Sequence, residues 1–133
     1  MFQTKRVIEF SMCDNAGVLF FSRIFELFHS AYEEFIQRSS LENNYFNLDD
    51  LAIPLVKIEA DFKAPIMLHE VMDIVIEVTE IKNSAFELTT HFLDKIEKTR
   101  AIVKSVHIFV DKQSFSKKEI PTEFRLLLEA NQD

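Results

Sequence analysis

The chain is 133 residues long, 47% apolar and 28% charged, a balance that suits one packed domain over residues 1–133 and excludes a disordered chain. Its formal net charge of −7 argues against a nucleic-acid partner, which needs a basic surface. A single cysteine, Cys13, excludes an internal disulfide framework and a cysteine-rich zinc site.

Residues 4–10 are rich in β-formers and predict a first strand. Residues 11–17 break any period with Asp14, Asn15 and Gly17, which is turn chemistry. Over 22–38 the period becomes helical: Phe21, Ile24, Phe25, Phe28, Ala31, Tyr32, Phe35 and Ile36 share one face, with Arg23, Glu26, Ser30, Glu34 and Gln37 opposite. Ser22 suits the N-cap, where its hydroxyl can accept a bond from an orphan N–H of the first turn. A face this aromatic needs a wide cover, and a sheet supplies one.

Residues 39–50 are polar and predict an irregular connection. Pro54 opens a second strand with Val56, Ile58, Ala60 and Phe62 on one face and Lys57, Glu59, Asp61 and Lys63 on the other; Pro65 ends it. Three further strands follow: 71–81 (Met72, Ile74, Ile76, Val78), 84–94 (Phe86, Leu88, Thr90, Phe92) and 100–110 (Ile102, Lys104, Val106, Ile108, Val110). Their short connections favour an antiparallel meander. Pro121 starts a last amphipathic helix through Phe124, Leu127 and Leu128. The reading is α+β: one long central helix wrapped by a curved antiparallel sheet of about five strands, the hotdog fold. Its open sheet edges predict a homodimer or a dimer-of-dimers tetramer.

Average glycine usage of about 7% would place roughly nine in a chain of this length. There is one, Gly17. It sits three positions after the carboxylate of Asp14, at the strand-to-helix junction, and that junction is the candidate site. The N-terminus has no hydrophobic signal core and no apolar run approaches ~18 residues, which predicts a cytoplasmic protein with no membrane insertion. His69, Glu70, His91 and His107 have no metal-binding spacing, so no metal is expected.

The run Cys13-Asp14-Asn15-Ala16-Gly17-Val18, opening the helix from Ser22, resembles the Asp-Pro/Ala-Ala-Gly-Ile/Val signature of 4-hydroxybenzoyl-CoA thioesterase-like and YbgC-type hotdog thioesterases. Val18-Leu19-Phe20-Phe21 and His29-Ser30-Ala31-Tyr32-Glu33 are similar to the aryl-CoA branch, dihydroxynaphthoyl-CoA thioesterases included. The resemblance implies thioester hydrolysis without a cofactor, with Asp14 as the catalytic carboxylate and the Phe21 backbone N–H polarising the carbonyl. Asn15 stands where many relatives carry proline, Phe21 where YbgC-type enzymes carry histidine and Phe10 where they carry tyrosine, so side-chain acid/base help is absent at those positions.

The chemistry is coherent on the residues alone. A thioester carbonyl needs an oxygen nucleophile at carbon and donors where charge develops on oxygen, and the unpaired N–H groups of a helix start supply such donors. Gly17 lets a ligand approach the backbone. The bulky Phe20, Phe25 and Phe28 favour a fatty acyl chain; the alternatives are an aryl-CoA, an acyl-carrier-protein thioester, or a non-catalytic acyl-thioester-binding module. Gly17, Phe20, His29 and Glu33 are the candidate substrate-binding residues, although a boundary histidine and a surface glutamate are the plainer readings of the last two. Cys13 reads as a buried structural thiol. Lys57, Lys63, Lys95, Lys98 and Arg100 are the cations available to CoA phosphates.

Overall fold

In the computed structural model, which describes residues 1–133, the change from strand period to helix period falls where the sequence puts it. Strand β1 (Phe2–Val7) leads through a 3₁₀ turn at Phe10–Met12 and a loop into helix α1 (Arg23–Gln37). A two-residue strand β2 (Leu51–Ala52) precedes β3 (Leu55–Phe62), β4 (Val71–Ile81), β5 (Ala85–Leu93) and β6 (Thr99–Ile108), then the short β7 (Val110–Asp111) and helix α2 (Thr122–Ala130). Five strands form one antiparallel sheet in the order β1-β4-β5-β6-β3, with α1 packed on one face; β2 and β7 pair separately. This is the hotdog arrangement.

The sheet is not a simple meander. The chain leaves β3 at one edge and enters β4 next to the opposite edge, so residues 63–70 cross the end of the sheet as a strap instead of turning a hairpin. Pro65 lies in this strap because a proline has no N–H to give to a ladder.

Helix α1 buries Ile24, Leu27, Phe28, Ala31, Tyr32, Phe35 and Ile36. The predicted face is rotated at its start: Leu27 is inside, whereas Phe21 is 63% exposed. Phe28 is fully buried, and truncating such a side chain to alanine costs about 3–5 kcal/mol. On the sheet, Met72, Ile74, Ile76 and Val78 of β4 and Phe86, Leu88, Thr90 and Phe92 of β5 face α1, as the alternation predicts. β6 is out of phase with its prediction. Ala101, Val103, Ser105 and His107 are buried, and Lys104 lies on the outer face. Ser105 and His107 look polar in sequence, yet their side chains satisfy one another, with His107 Nε2 2.9 Å from Ser105 Oγ. The imidazole stacks at 4.9 Å on Phe86 and at 4.8 Å on Tyr32. Burial first, and the nearby His29 second, push its pKa down to about 3, so it packs as a neutral ring.

Strand β3 is exposed along most of its length, including Leu55, Val56 and Phe62, because an edge strand has a neighbour on one side only. A register shift between Leu55 and Lys57 also interrupts the alternation read for it. No helix is long and apolar enough to cross a membrane.

Candidate active site

The loop between β1 and α1 is built on one side chain. The Asp14 N–H donates to the Val18 carbonyl at 2.9 Å and the Gly17 N–H donates to the Asp14 carbonyl at 3.1 Å. Asp14 Oδ1 accepts from the Ala16 N–H at 2.9 Å and the Val18 N–H at 3.2 Å. This side-chain turn replaces the conformational lock that a proline at position 15 would give. Gly17 occupies the left-handed region at φ +77°, and a Cβ built there would meet nothing within 4 Å. Asp14 itself is exposed. Its Oδ1 is committed to the turn; its Oδ2 has no partner in the chain.

The helix start differs from its prediction. Ser22 already has helical angles (φ −70°, ψ −20°) and its hydroxyl makes no cap bond. The first turn closes earlier, with the Arg23 N–H donating to the Phe20 carbonyl at 2.9 Å. The consequence is that the N–H groups of Phe21 and Ser22 have no acceptor within the chain. They are the orphan donors of a helix N-terminus, reinforced by its dipole. The Phe21 ring lies 4.9 Å from the Phe20 ring, and both are exposed.

The strap holds this loop in place. The Leu19 N–H donates to the Ile66 carbonyl at 2.8 Å, the Leu68 N–H donates to the Gly17 carbonyl at 2.9 Å, and Val18 and Met67 form an antiparallel bridge. A cavity of about 380 Å³ lies between the two segments, lined by Val18, Leu19, Phe21, Phe62, Lys63, Ala64, Pro65 and Ile66.

Of the residues singled out in the sequence, Asp14, Gly17, Phe20 and Phe21 share this loop. His29 and Glu33 do not join them: both are exposed on α1, lining a second cavity of about 640 Å³ with Phe25, Glu26, Phe28, Ser30, Leu55 and Ile58. Cys13 is half-buried instead of buried, its thiol donating to the Glu9 carbonyl at 3.6 Å. Arg100 is not free for a phosphate, because its guanidinium is spent on Asp94, Glu70 and the Pro65 carbonyl. Lys63 is drawn to Asp61 at 2.7 Å. No three His, Cys, Asp or Glu side chains converge into a metal-holding group. The sequence reading missed the strap, since residues 63–70 carry no period and meet the loop only through the crossing of the chain.

A model of the thioesterase-like superfamily matches residues 8–128. A 1,4-dihydroxy-2-naphthoyl-CoA hydrolase of Nostoc punctiforme is 30% identical over 132 residues, covering 98% of this chain and 88% of the relative. Among solved structures, a 1,4-dihydroxy-2-naphthoyl-CoA thioesterase from Synechocystis superposes with a TM-score of 0.87 at 22% identity, over 96% of this chain and 94% of that one. A gentisyl-coenzyme A thioesterase superposes with a TM-score of 0.82 at 20% identity, over 95% and 98%. At those identities the superpositions establish the fold.

Proposed function

We propose that this chain, which belongs to the thioesterase-like superfamily and is a thioester hydrolase, acts on an aryl-CoA of the dihydroxynaphthoyl or hydroxybenzoyl type with Asp14 as its catalytic carboxylate. The observation that carries the site is the division of labour within one side chain: Oδ1 is tied into the turn by two N–H groups, while Oδ2 is left unspent, and the same connection between β1 and α1 carries the free N–H groups of Phe21 and Ser22.

In this reading Oδ2 attacks the thioester carbon or takes a proton from the water that does. The Phe21 amide receives the charge developing on the carbonyl oxygen; one such donor is worth about 2.7–4 kcal/mol in the transition state. The leaving thiolate needs no strong acid. Gly17 leaves its open space to the thioester, and the exposed Phe20 and Phe21 rings offer edges and faces to a flat acyl group. The fatty acyl chain expected from the sequence gives way to the aryl alternative, because the relative aligned over nearly the whole chain is named for a dihydroxynaphthoyl-CoA substrate. Pairing of two copies through β3, with its exposed Leu55, Val56 and Phe62, remains part of the proposal and is checked by light scattering on the eluted protein.

The test is thiol release from a panel of 1,4-dihydroxy-2-naphthoyl-, 4-hydroxybenzoyl- and palmitoyl-CoA. An aryl ester turned over with at least tenfold higher kcat/KM than palmitoyl-CoA is expected; faster palmitoyl hydrolysis would overturn the substrate class. Rapid-quench trapping separates the two routes: attack by Oδ2 expels the thiolate and leaves an acyl–aspartyl anhydride that water then cleaves, whereas proton abstraction from water forms no covalent intermediate.

A further inference from the structure

The guanidinium of Arg100 makes four hydrogen bonds at the start of β6. Nε donates to Asp94 Oδ2 at 2.9 Å, Nη1 to the Pro65 carbonyl at 2.7 Å and to Glu70 Oε1 at 3.0 Å, and Nη2 to Glu70 Oε2 at 3.0 Å. Its backbone carbonyl accepts from the N–H groups of Lys63 at 2.8 Å and Ala64 at 3.2 Å. Glu70 Oε1 in turn accepts the Met67 N–H at 2.7 Å. One residue thus grips the strap at 63, 64 and 65 directly, and at 67 and 70 through a carboxylate. The Arg100 and Glu70 side chains are 20% and 27% exposed, so the pair is partly shielded from water and held bidentately, the geometry in which a fork-to-fork pair orients its partners.

The other side of the same strap carries the Asp14 loop. Ile66 and Leu68 hold Leu19 and Gly17, Met67 bridges Val18, and Val18 donates to Asp14 Oδ1. A surface fold could close the end of this sheet without a half-buried arginine. What the arginine adds is a fixed distance between the body of the sheet and the loop. We propose that Arg100 is a positioning residue for thioester hydrolysis: through Glu70 and the 63–70 strap it sets where Asp14 and the first turn of α1 stand relative to each other. This rests on the reading of Asp14 as the reactive carboxylate.

A misplacement of about 1 Å in a reacting group can cost on the order of 100-fold in rate. Arg100→Met is therefore expected to lower kcat of the folded protein about 10- to 100-fold with KM changed less than threefold. Arg100→Lys, which keeps the charge and loses the fork, should recover part of the loss. The loss should be equal for an aryl-CoA and for the same acyl group on N-acetylcysteamine, which has no phosphate. In an Asp14→Asn background, replacing Arg100 should change the residual rate less than twofold.

Unchanged kcat in Arg100→Met, a loss confined to the CoA ester, or a loss of the same size in the Asp14→Asn background would each overturn the proposal while leaving Asp14 in its role. Wild-type turnover by Asp14→Asn would overturn both together. Should Arg100→Met not fold, Glu70→Gln carries the same test, since it leaves the Arg100–Asp94 pair in place and weakens only the link to the strap.

Discussion

Two turns of this chain, residues 14–18 and 94–98, are made from the same hydrogen bonds. In each, the aspartate N–H donates to the carbonyl four residues on: Asp14 to Val18 at 2.9 Å, Asp94 to Lys98 at 3.0 Å. In each, the fourth residue donates back to the aspartate carbonyl, Gly17 at 3.1 Å and Glu97 at 2.9 Å. Oδ1 of each aspartate accepts from the third and fifth residues, and the fourth residue is left-handed in both, at φ +77° and +63°. The difference is the second oxygen. Asp94 Oδ2 is bonded to Arg100 in a side chain only 5% exposed, whereas Asp14 Oδ2 is exposed and unpaired. A turn that aims a carboxylate is therefore not by itself a reactive site; the proposed role of Asp14 rests on the oxygen that its turn leaves over and that the turn of Asp94 does not.

The largest expected effect breaks the comparison at that oxygen. Asp14→Asn keeps the Oδ1 acceptor and hence the turn, so its Tm should stay within a degree or two of the parent, while kcat should fall by about 10²–10⁴-fold. Asp94→Asn should do the reverse. It leaves Arg100 without one charged partner, so Tm should fall by several degrees, and the loss of kcat should be far smaller than that of Asp14→Asn. Thermal unfolding and thiol release measured on both variants settle the assignment; equal rate losses would mean that the second oxygen is not what separates the two turns.

This pairing of turns also explains what could be read in advance. The turn at Asp14 is legible because Gly17, the one glycine, marks its left-handed position, while the catalytic role proposed for Asp14 comes from the family resemblance. The 94–98 turn has the same geometry with Glu97 at that position, and so its sequence announces only a charged loop tip. The helix was legible from the spacing of Ile24, Phe28, Ala31, Phe35 and Ile36, because a 3.6-residue period is local information. The phase of β6 was not. Ile102 and Val106 are as apolar as Ala101 and Val103, and what sends Ser105 and His107 inward is their mutual bond and the rings of Phe86 and Tyr32, which come from β5 and α1. The strap escaped for the same reason: its partners, Gly17, Leu19 and Arg100, are remote in sequence.

Acid acts on the second of these turns and on groups elsewhere in the fold. The Lys98 N–H first, with the Ile96 N–H and Arg100, holds the Asp94 carboxyl below the usual aspartate range. Its stabilisation is complete above that range and is lost as pH falls through the depressed value. Other groups act in the same direction, His107 and Glu123 among them. His107 binds a proton in the unfolded chain below pH ~6.5 but in the folded chain only near about 3, so the unfolded state takes up more protons throughout that window. Glu123 is held at about 2, chiefly by the Glu42 N–H and the Tyr45 hydroxyl, and its contribution disappears as pH falls from the ordinary glutamate range towards that value. Tm should therefore decline as pH is lowered below about 6.5 and fall most steeply below about 4.5. Glu123→Gln should flatten the steep part, and Asp94→Asn should flatten it further.

The smallest effects sharpen the comparison at the fourth position. A left-handed residue with a Cβ costs about 1–2 kcal/mol relative to the right-handed form, and glycine avoids much of that cost. Gly17→Ala and Glu97→Gly are therefore opposite experiments on one geometry. The first should destabilise by about 1 kcal/mol, since the added Cβ meets nothing within 4 Å and only the φ angle resists it. The second should stabilise by a few tenths of a kcal/mol to about 1 kcal/mol, less the greater freedom glycine gives the unfolded chain. If stability were all that Gly17 provides, the two variants would differ in Tm alone. The empty space over Gly17 is instead where the thioester is proposed to lie, so Gly17→Ala should also raise KM for an aryl-CoA several-fold while Glu97→Gly leaves it unchanged. A Gly17→Ala enzyme with unaltered KM would reduce Gly17 to the role that Glu97 fills in the other turn.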